Sequence, residues 1–237
     1  DGLPLKSCIT PLKAGMEIET LVHHPNLPPD DDWRPSHKPQ ELSCEVLIVG
    51  AGPSGITSAL ELADLGVSVI LVDDKDHLGG KLVLQTHKFF GSMADCYAGT
   101  RGHDIGKILE DKARKHENIK VMTNSTVVGI YSDAKAGVYL DQEDRYIHIS
   151  FAGVIVATGA RERSLVFPGN DLPGVFGAGA FQTLVNRDLV KSSQRTLIVG
   201  CGNVGLIGAY HALQAGIDVV GIIDISSQVS GYKVHAD

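Results

Sequence analysis

The sequence predicts an α/β fold on a parallel sheet, because a strand, a glycine-rich turn, a helix and a second strand follow one another twice. Residues 46–49 form a continuous apolar run, typical of a buried parallel strand, and Gly-Ala-Gly-Pro-Ser-Gly follows at 50–55. A helix-period pattern then runs to Gly66, a residue that commonly ends helices. The same order returns over residues 196–223, around Gly-Cys-Gly-Asn-Val-Gly at 200–205.

The first glycine turn has the residues that an anion-binding turn needs. Gly50 makes the turn, Gly52 lets a pyrophosphate approach the backbone, and Gly55 lets the helix pack closely on the strand. Asp73 follows strand 67–72 at a spacing that suits a carboxylate accepting hydrogen bonds from a ribose 2′-hydroxyl. The alternative, a glycine turn without a ligand, is disfavoured by this order of elements. The predicted ligands here are Gly50, Gly52, Pro53, Ser54, Gly55, Asp73 and Asp74.

Two later segments are predicted to reach the same crevice, at the carboxyl ends of the sheet. After Gly79-Gly80, Lys81 either neutralises a phosphate, lies beside a cofactor ring or is solvated. The apolar strand 153–157 ends in Thr158-Gly159, where the glycine allows close approach of the backbone to a ligand. We therefore add Gly80, Lys81, Thr158 and Gly159 to the predicted cofactor-binding residues.

The region between the two repeated units predicts an antiparallel insert. Its apolar residues change to a period of two and indicate a meander of strands at 126–131, 137–140 and 146–150. Helices are predicted over 104–115 and 178–189.

The second unit predicts a second nucleotide site. Strand 219–223 ends at Asp224, and no arginine follows in Ile225-Ser226-Ser227 to accept a 2′-phosphate, which favours NAD over NADP. Cys201, between two turn glycines, is interpreted as a packing residue rather than a redox thiol. The predicted ligands are Gly200, Gly202, Asn203, Val204, Gly205 and Asp224.

Composition excludes several classes of function. The net charge of -7 and the pI near 5.8 argue against a surface for duplex nucleic acid. No apolar run is long enough for a transmembrane helix and no leader is evident, so we expect a cytoplasmic protein. Four separated cysteines contain no CxxC pair, and His23-His24 is interpreted as solvated, so no metal site is predicted. No catalytic acid, base or nucleophile is identified; His103 has no visible partner.

Together, the two glycine turns, Gly79-Gly80 and Val-Ala-Thr-Gly at 156–159 resemble the two-dinucleotide-binding flavoproteins that include glutathione reductase. The resemblance covers residues 44–237 and implies FAD at the first turn, NAD(H) at the second and hydride transfer between nicotinamide and flavin. Disulfide reductases of that family carry a cysteine pair soon after Gly-Gly. Here residues 81–85 read Lys-Leu-Val-Leu-Gln, so a dithiol disulfide reductase is not expected.

A narrower resemblance rests on residues 8–20, 99–103 and 159–164. They look like the ferredoxin-fused α subunits of sarcosine oxidase, hydrogen cyanide synthase and dehydrogenases of proline or opines. There a CxTPxxxGM stretch closes a [2Fe-2S] domain, so Cys8 is implied as a cluster ligand only if an upstream domain supplies the other three. The resemblance also implies a second flavoprotein subunit that oxidises the amine, and some α subunits hold NAD or ATP instead of FAD.

We therefore expect a Rossmann-like FAD-binding domain with a meander insert, followed by the start of a Rossmann-like NAD-binding domain. Residues 1–43 are predicted to be an extended linker, or in the resemblance the end of a [2Fe-2S] domain, and 44–165 the N-terminal part of the FAD-binding domain. Residues 166–194 are the predicted connection. Residues 195–237 are the predicted first βαβ unit of the second domain, which we expect to continue past this point.

Three functions remain open from the sequence. The leading hypothesis is the electron-transfer subunit of a flavin-dependent amine or amino-acid dehydrogenase complex, since a flavin takes a hydride and releases single electrons. The alternatives are a self-contained NADH-dependent flavin reductase or oxidase, and a nucleotide-binding scaffold without catalysis.

Overall fold

The computed structural model describes residues 11, 13–17, 38–88 and 90–232 and contains two compact units, Asp1–Lys38 and Pro39–Asp237. In the first unit a turn is closed by the backbone N–H of Met16, which donates to the carbonyl of Lys13 at 3.3 Å. The predictions for Cys8 and for His23-His24 lie outside the described residues.

The second unit alternates strands and helices, as the α/β prediction requires. Its strands are β1 Gln40–Val49, β2 Val69–Val72, β3 Ile119–Met122, β4 Ser125–Ile130, β5 Lys135–Leu140, β6 Arg145–Val156, β7 Arg195–Val199 and β8 Asp218–Ile223. Its α-helices are α1 Pro53–Asp64, α2 Met93–Cys96, α3 Gly102–Lys115, α4 Ala178–Gln182 and α5 Asn203–Gln214. A 3-10 turn, Gly80–Leu84, and a π-helical turn, Thr183–Arg187, complete the described elements.

The larger sheet has six strands in the order β3-β2-β1-β6-β5-β4. Strands β3, β2, β1 and β6 are parallel, and β6, β5 and β4 are antiparallel neighbours. Strands β7 and β8 form a separate parallel pair, the strands of the second repeated unit. This topology confirms the predicted fold class, a parallel sheet that carries an antiparallel meander.

Strand β6 corrects one prediction. The sequence indicated two strands, at 146–150 and 153–157, whereas the structure has one strand, Arg145–Val156. From Ile147 to Val156 it pairs with β1, with Gln40 opposite Ile147 and Val49 opposite Val156, and its first half also pairs with β5. Strand β1 therefore begins at Gln40, inside the segment predicted as linker, because these residues have a partner strand that is distant in sequence.

The core lies on both faces of the larger sheet. Successive residues of a strand point to opposite faces, so Leu47 and Ile48 are both completely buried, in different clusters. Ile48 packs on the side of α1 and α3, while Leu47 packs with residues of the meander such as Val138. Strands buried on both faces need the continuous apolar runs that the sequence shows. Because β1 and β2 are parallel, the turns that follow them lie at the same edge of the sheet, and the candidate functional site forms there.

Two helices differ from their predicted bounds. Helix α3 begins at Gly102, two residues before the predicted start at 104, so Asp104 lies in its first turn. The predicted helix 178–189 is divided into α4 and the π-helical turn Thr183–Arg187. Within the π-helical turn, the side chain of Asn186 donates through Nδ2 to the carbonyl oxygen of Leu84 at 2.6 Å.

Candidate functional site

A cavity of about 700 Å³ opens at the carboxyl ends of β1 and β2. Its volume lies within the range of roughly 300–1,000 Å³ that is usual for small-molecule sites. The structure brings ten predicted residues together around this space: Gly50, Gly52, Pro53, Ser54, Asp73, Asp74, Gly80, Lys81, Thr158 and Gly159. Gly55, the remaining predicted residue of the first turn, does not line the cavity and packs beneath the turn.

Backbone geometry explains the glycines of the first turn. Gly50 has φ of +100°, and a Cβ there would lie 2.5 Å from the carbonyl oxygen of Ala157. A Cβ on Gly55 would lie 1.9 Å from the carbonyl oxygen of Gly50, so only glycine fits. Gly52 is the N-cap of α1, and no side chain caps that helix end. The positive end of α1 is therefore available to an anion in the cavity.

Asp73 holds the first turn as well as facing the cavity. Its Oδ2 accepts a hydrogen bond from the N–H of Ala51 at 2.6 Å, and its Oδ1 accepts one from the N–H of Lys75 at 2.9 Å. A carboxylate offers about four lone-pair positions, so each oxygen retains one for a ribose hydroxyl. The structure thus adds a second role to the predicted one. The neighbouring Asp74 forms an exposed ion pair with the Lys75 ammonium group at 2.6 Å.

The far wall of the cavity was not predicted. Thr183 and Arg187 of the π-helical turn line it, as does Arg161, which follows Thr158-Gly159. Arg187 is held by two hydrogen bonds to Asp188, of 2.7 and 3.1 Å, which raise the pKa of Arg187 and lower that of Asp188. The π-helical turn could not be recognised in the sequence, because residues 178–189 keep a helical period through it.

The second glycine turn repeats the geometry of the first. Gly200 has φ of +108°, and a Cβ on Gly205 would lie 1.9 Å from the carbonyl oxygen of Gly200. The Oδ2 of Asp224 accepts from the N–H of Cys201 at 2.7 Å and its Oδ1 from the N–H of Ser226 at 2.8 Å. These backbone donors lower the pKa of Asp224. The structure therefore brings the predicted second-site residues together at the start of α5: Gly200, Gly202, Asn203, Val204, Gly205 and Asp224.

Residues 44–235 match the family of pyridine nucleotide-disulphide oxidoreductases. The chain belongs to this family. The match includes both glycine turns, and the family implies FAD, with NAD(P) binding among its members. Membership confirms both the resemblance stated from the sequence and the Rossmann-like fold class.

This family member is similar to two proteins named as subunits and to one solved dehydrogenase structure. The sarcosine oxidase subunit alpha of Rhizobium meliloti (strain 1021) is 33% identical over 76% of this chain and 19% of its own length. Hydrogen cyanide synthase subunit HcnB of Pseudomonas protegens is 34% identical over 77% of this chain and 39% of its own. The crystal structure of L-proline dehydrogenase from P. horikoshii superimposes with a TM-score of 0.65 at 26% identity, over 79% of this chain and 37% of that one. The chain thus spans between one fifth and two fifths of these relatives.

Polar side chains connect helix α5 of this oxidoreductase family member with residues 84–87 and with the π-helical turn. His211 of α5 is completely buried, stacks on His87 with ring centroids 5.9 Å apart, and has Nδ1 3.0 Å from the Nδ2 of Asn186. Within the described part of the chain, His211 Nε2 has no hydrogen-bond partner. Burial, followed by the proximity of His87, lowers the pKa of His211 to about 4. The imidazole of His211 is therefore uncharged at neutral pH.

The thiols and remaining candidate groups lie away from the cavity. Cys44, Cys96 and Cys201 are free cysteines, and none lines the cavity. Burial raises the pKa of Cys44, which disfavours its thiolate. His103 lies 3.3 Å from Asp104 in the first turn of α3 and does not line the cavity. Among the described residues there is no cluster of three or more metal-ligating side chains, and none of the helices could cross a membrane.

Proposed function

We propose that this chain is the electron-transfer, α-type subunit of a flavin-dependent amine or amino-acid dehydrogenase or oxidase complex. The observation that carries the proposal is the cavity of about 700 Å³ at the uncapped start of α1, which is framed by Asp73, Gly80-Lys81 and Thr158-Gly159. The relatives named as subunits of sarcosine oxidase and hydrogen cyanide synthase support it.

The residues of the first site fit FAD. Gly52 and the first turn of α1 would bind the pyrophosphate, and Asp73 would accept hydrogen bonds from the ribose. Gly80 and Lys81 would lie along the remainder of the cofactor, with Thr158-Gly159 approaching from the opposite strand end. When bound, FAD supplies a centre that accepts a hydride and releases single electrons. The protein's part is to bind and orient it.

At the second site we propose an unphosphorylated dinucleotide, NAD(H). Asp224 repeats the hydrogen bonds of Asp73, and its lowered pKa keeps the carboxylate charged at neutral pH. A negative carboxylate at the ribose disfavours the 2′-phosphate of NADP.

We further propose that the protein is not a dithiol disulfide reductase. Thiol–disulfide exchange needs an attacking thiolate beside the flavin, and Cys44, Cys96 and Cys201 are absent from the cavity lining. The partner we propose is a second flavoprotein subunit that carries the amine or amino-acid site. A [2Fe-2S] cluster would require three ligands from an upstream domain in addition to Cys8.

The test is a visible absorption spectrum of the purified full-length protein, recorded with and without its partner subunit. We expect oxidised flavin that is bleached by an amine or amino acid only when the partner is present. Continued oxidation of NADH by the chain without any partner would instead indicate a self-contained flavin reductase or oxidase. Bound nucleotide without a flavin spectrum would indicate a scaffold, and both results would contradict the proposal.

A further inference from the structure

The chain returns over the second glycine turn much as it returns over the first. We call residues 228–232 the return segment. After the first glycine turn, the N–H of Gly79 donates to the carbonyl of Ala51, the residue between the first two turn glycines, at 2.9 Å. After the second glycine turn, the N–H of Gly231 donates to the carbonyl of Cys201, the equivalent residue, at 3.1 Å. The two repeated units therefore share, in addition to a strand, a helix and an acidic residue, a backbone hydrogen bond from a later glycine to the glycine turn.

The return segment is fixed on the first turn of α5. The N–H of Tyr232 donates to Asn203 Oδ1 at 2.7 Å, and Cys201 Sγ lies 3.6 Å from the carbonyl oxygen of Gln228. A Cβ on Gly231 would lie 3.2 Å from the backbone nitrogen of Asn203, which shows how closely the two backbones approach. These contacts hold the chain between Gln228 and Gly231 in a defined place, and with it the residue directly before Gly231.

That residue, Ser230, marks the difference between the two turns. The middle glycine of each turn is the one whose missing side chain admits a pyrophosphate. Over Gly52, the nearest atom to a built Cβ is the Cα of Gly80, at 4.0 Å, whereas over Gly202 it is Ser230 Oγ, at 3.7 Å. Ser230 is exposed, and its hydroxyl makes no hydrogen bond within the described residues. A hydrogen-bond donor thus lies over the second turn, where the first has a bare Cα.

We propose that the Ser230 hydroxyl donates a hydrogen bond to the pyrophosphate of the nucleotide at the second site. This inference rests on the proposed function, because it requires a dinucleotide at that turn. The hydroxyl adds to the N–H groups at the start of α5, which no side chain caps. A hydroxyl can rotate its proton toward a phosphate oxygen without moving the backbone.

The experiment uses the full-length, flavin-loaded protein and titrates it with NADH and with ADP-ribose. Loss of a hydrogen bond to a charged acceptor predicts that Ser230→Ala weakens the binding of both ligands by about tenfold. Ser230→Thr keeps the hydroxyl and should bind both ligands nearly as the unchanged protein does. Val229→Ala, at the exposed neighbour of Ser230 in the return segment, is the matched control and should change neither affinity. Flavin content and melting temperature should be the same in all variants, because Ser230 has no hydrogen bond to lose.

Three results would overturn the inference in different ways. If the unchanged protein binds NADH and Ser230→Ala binds it equally well, Ser230 is not a ligand, although the proposed second site stands. If Ser230→Ala weakens NADH but not ADP-ribose, its hydroxyl contacts the nicotinamide half rather than the pyrophosphate. If the unchanged protein binds neither ligand, the second site of the proposed function is wrong together with this inference.

Discussion

Replacing Asp73 with alanine removes two hydrogen bonds that shape the first glycine turn and the acceptor proposed for the cofactor ribose. The Ala51 N–H, 2.6 Å from Asp73 Oδ2, belongs to a completely buried residue. Without its acceptor it becomes a buried unsatisfied donor, which costs about 1–3 kcal/mol. We therefore expect the free energy of unfolding of the apoprotein to fall by that amount.

The effect of the same substitution on cofactor binding is separate. Hydrogen bonds that involve a charged group contribute about 1.5–3 kcal/mol, so loss of the ribose contact should raise the Kd for FAD roughly ten- to hundredfold. Asp73→Asn retains one oxygen that can accept a hydrogen bond from the N–H of Ala51 but loses the negative charge. We expect its Kd for FAD to lie between those of Asp73→Ala and of the unchanged protein.

The assay measures flavin content after dialysis, then titrates the apoprotein with FAD by flavin fluorescence, and follows unfolding in urea. Asp111→Ala is the matched control, since Asp111 lies on the exposed side of α3 away from the cavity. If Asp73→Ala retained FAD with the same Kd as Asp111→Ala, the assignment of the ribose acceptor would be refuted.

Three further predictions follow from distances, charge and burial. Gly55→Ala places a Cβ 1.9 Å from a carbonyl oxygen, so the free energy of unfolding in urea should fall by about 3 kcal/mol and FAD should be lost. In the control Gly153→Ala, the new Cβ lies 3.9 Å from the nearest atom, and the free energy of unfolding should change by less than about 0.5 kcal/mol. Asp224 should make NADH bind more tightly than NADPH; equal affinities in a titration would contradict this. Burial lowers the pKa of His211 to about 4, so below pH 6.5 the unfolded chain binds more protons and stability falls. Between pH 7 and pH 5 the unchanged protein should lose about 2 kcal/mol more than His211→Gln, and equal losses in urea unfolding would show that His211 is not the group responsible.

Local patterns in the sequence were sufficient to predict the residues at the centre of the candidate site. The first turn and Asp73 belong to one continuous stretch, in which apolar runs, glycines and the acid each have a fixed spacing. Their hydrogen bonds arise between elements that are adjacent along the chain, so the predicted ligands around Gly50 and Asp73 meet as expected.

The features that the sequence did not predict depend on partners far away along the chain. Strand β6 continues through Phe151 because it pairs with β1 from one end of β1 to the other. The local pattern of apolar residues nevertheless changes at Phe151. Arg187 reaches the cavity through a π-helical turn, whose extra residue leaves no periodic signal. Ser230 approaches Gly202 through a hydrogen bond of Gly231 that connects irregular loops, where neither hydrophobic period nor propensity applies.

The pairing of β1 with β6 has a consequence for the order of events during synthesis. Strand β1 is a central strand, and its second neighbour ends only at Val156, so the ribosome must add more than a hundred residues before β1 is enclosed on both edges. Such distant pairing is slow to form. Ala157, whose carbonyl lies against Gly50, follows directly after β6. We therefore expect the first glycine turn of the nascent chain to become rigid late, after the whole meander has been translated. Until then the edge of β1 should be exposed to chaperones.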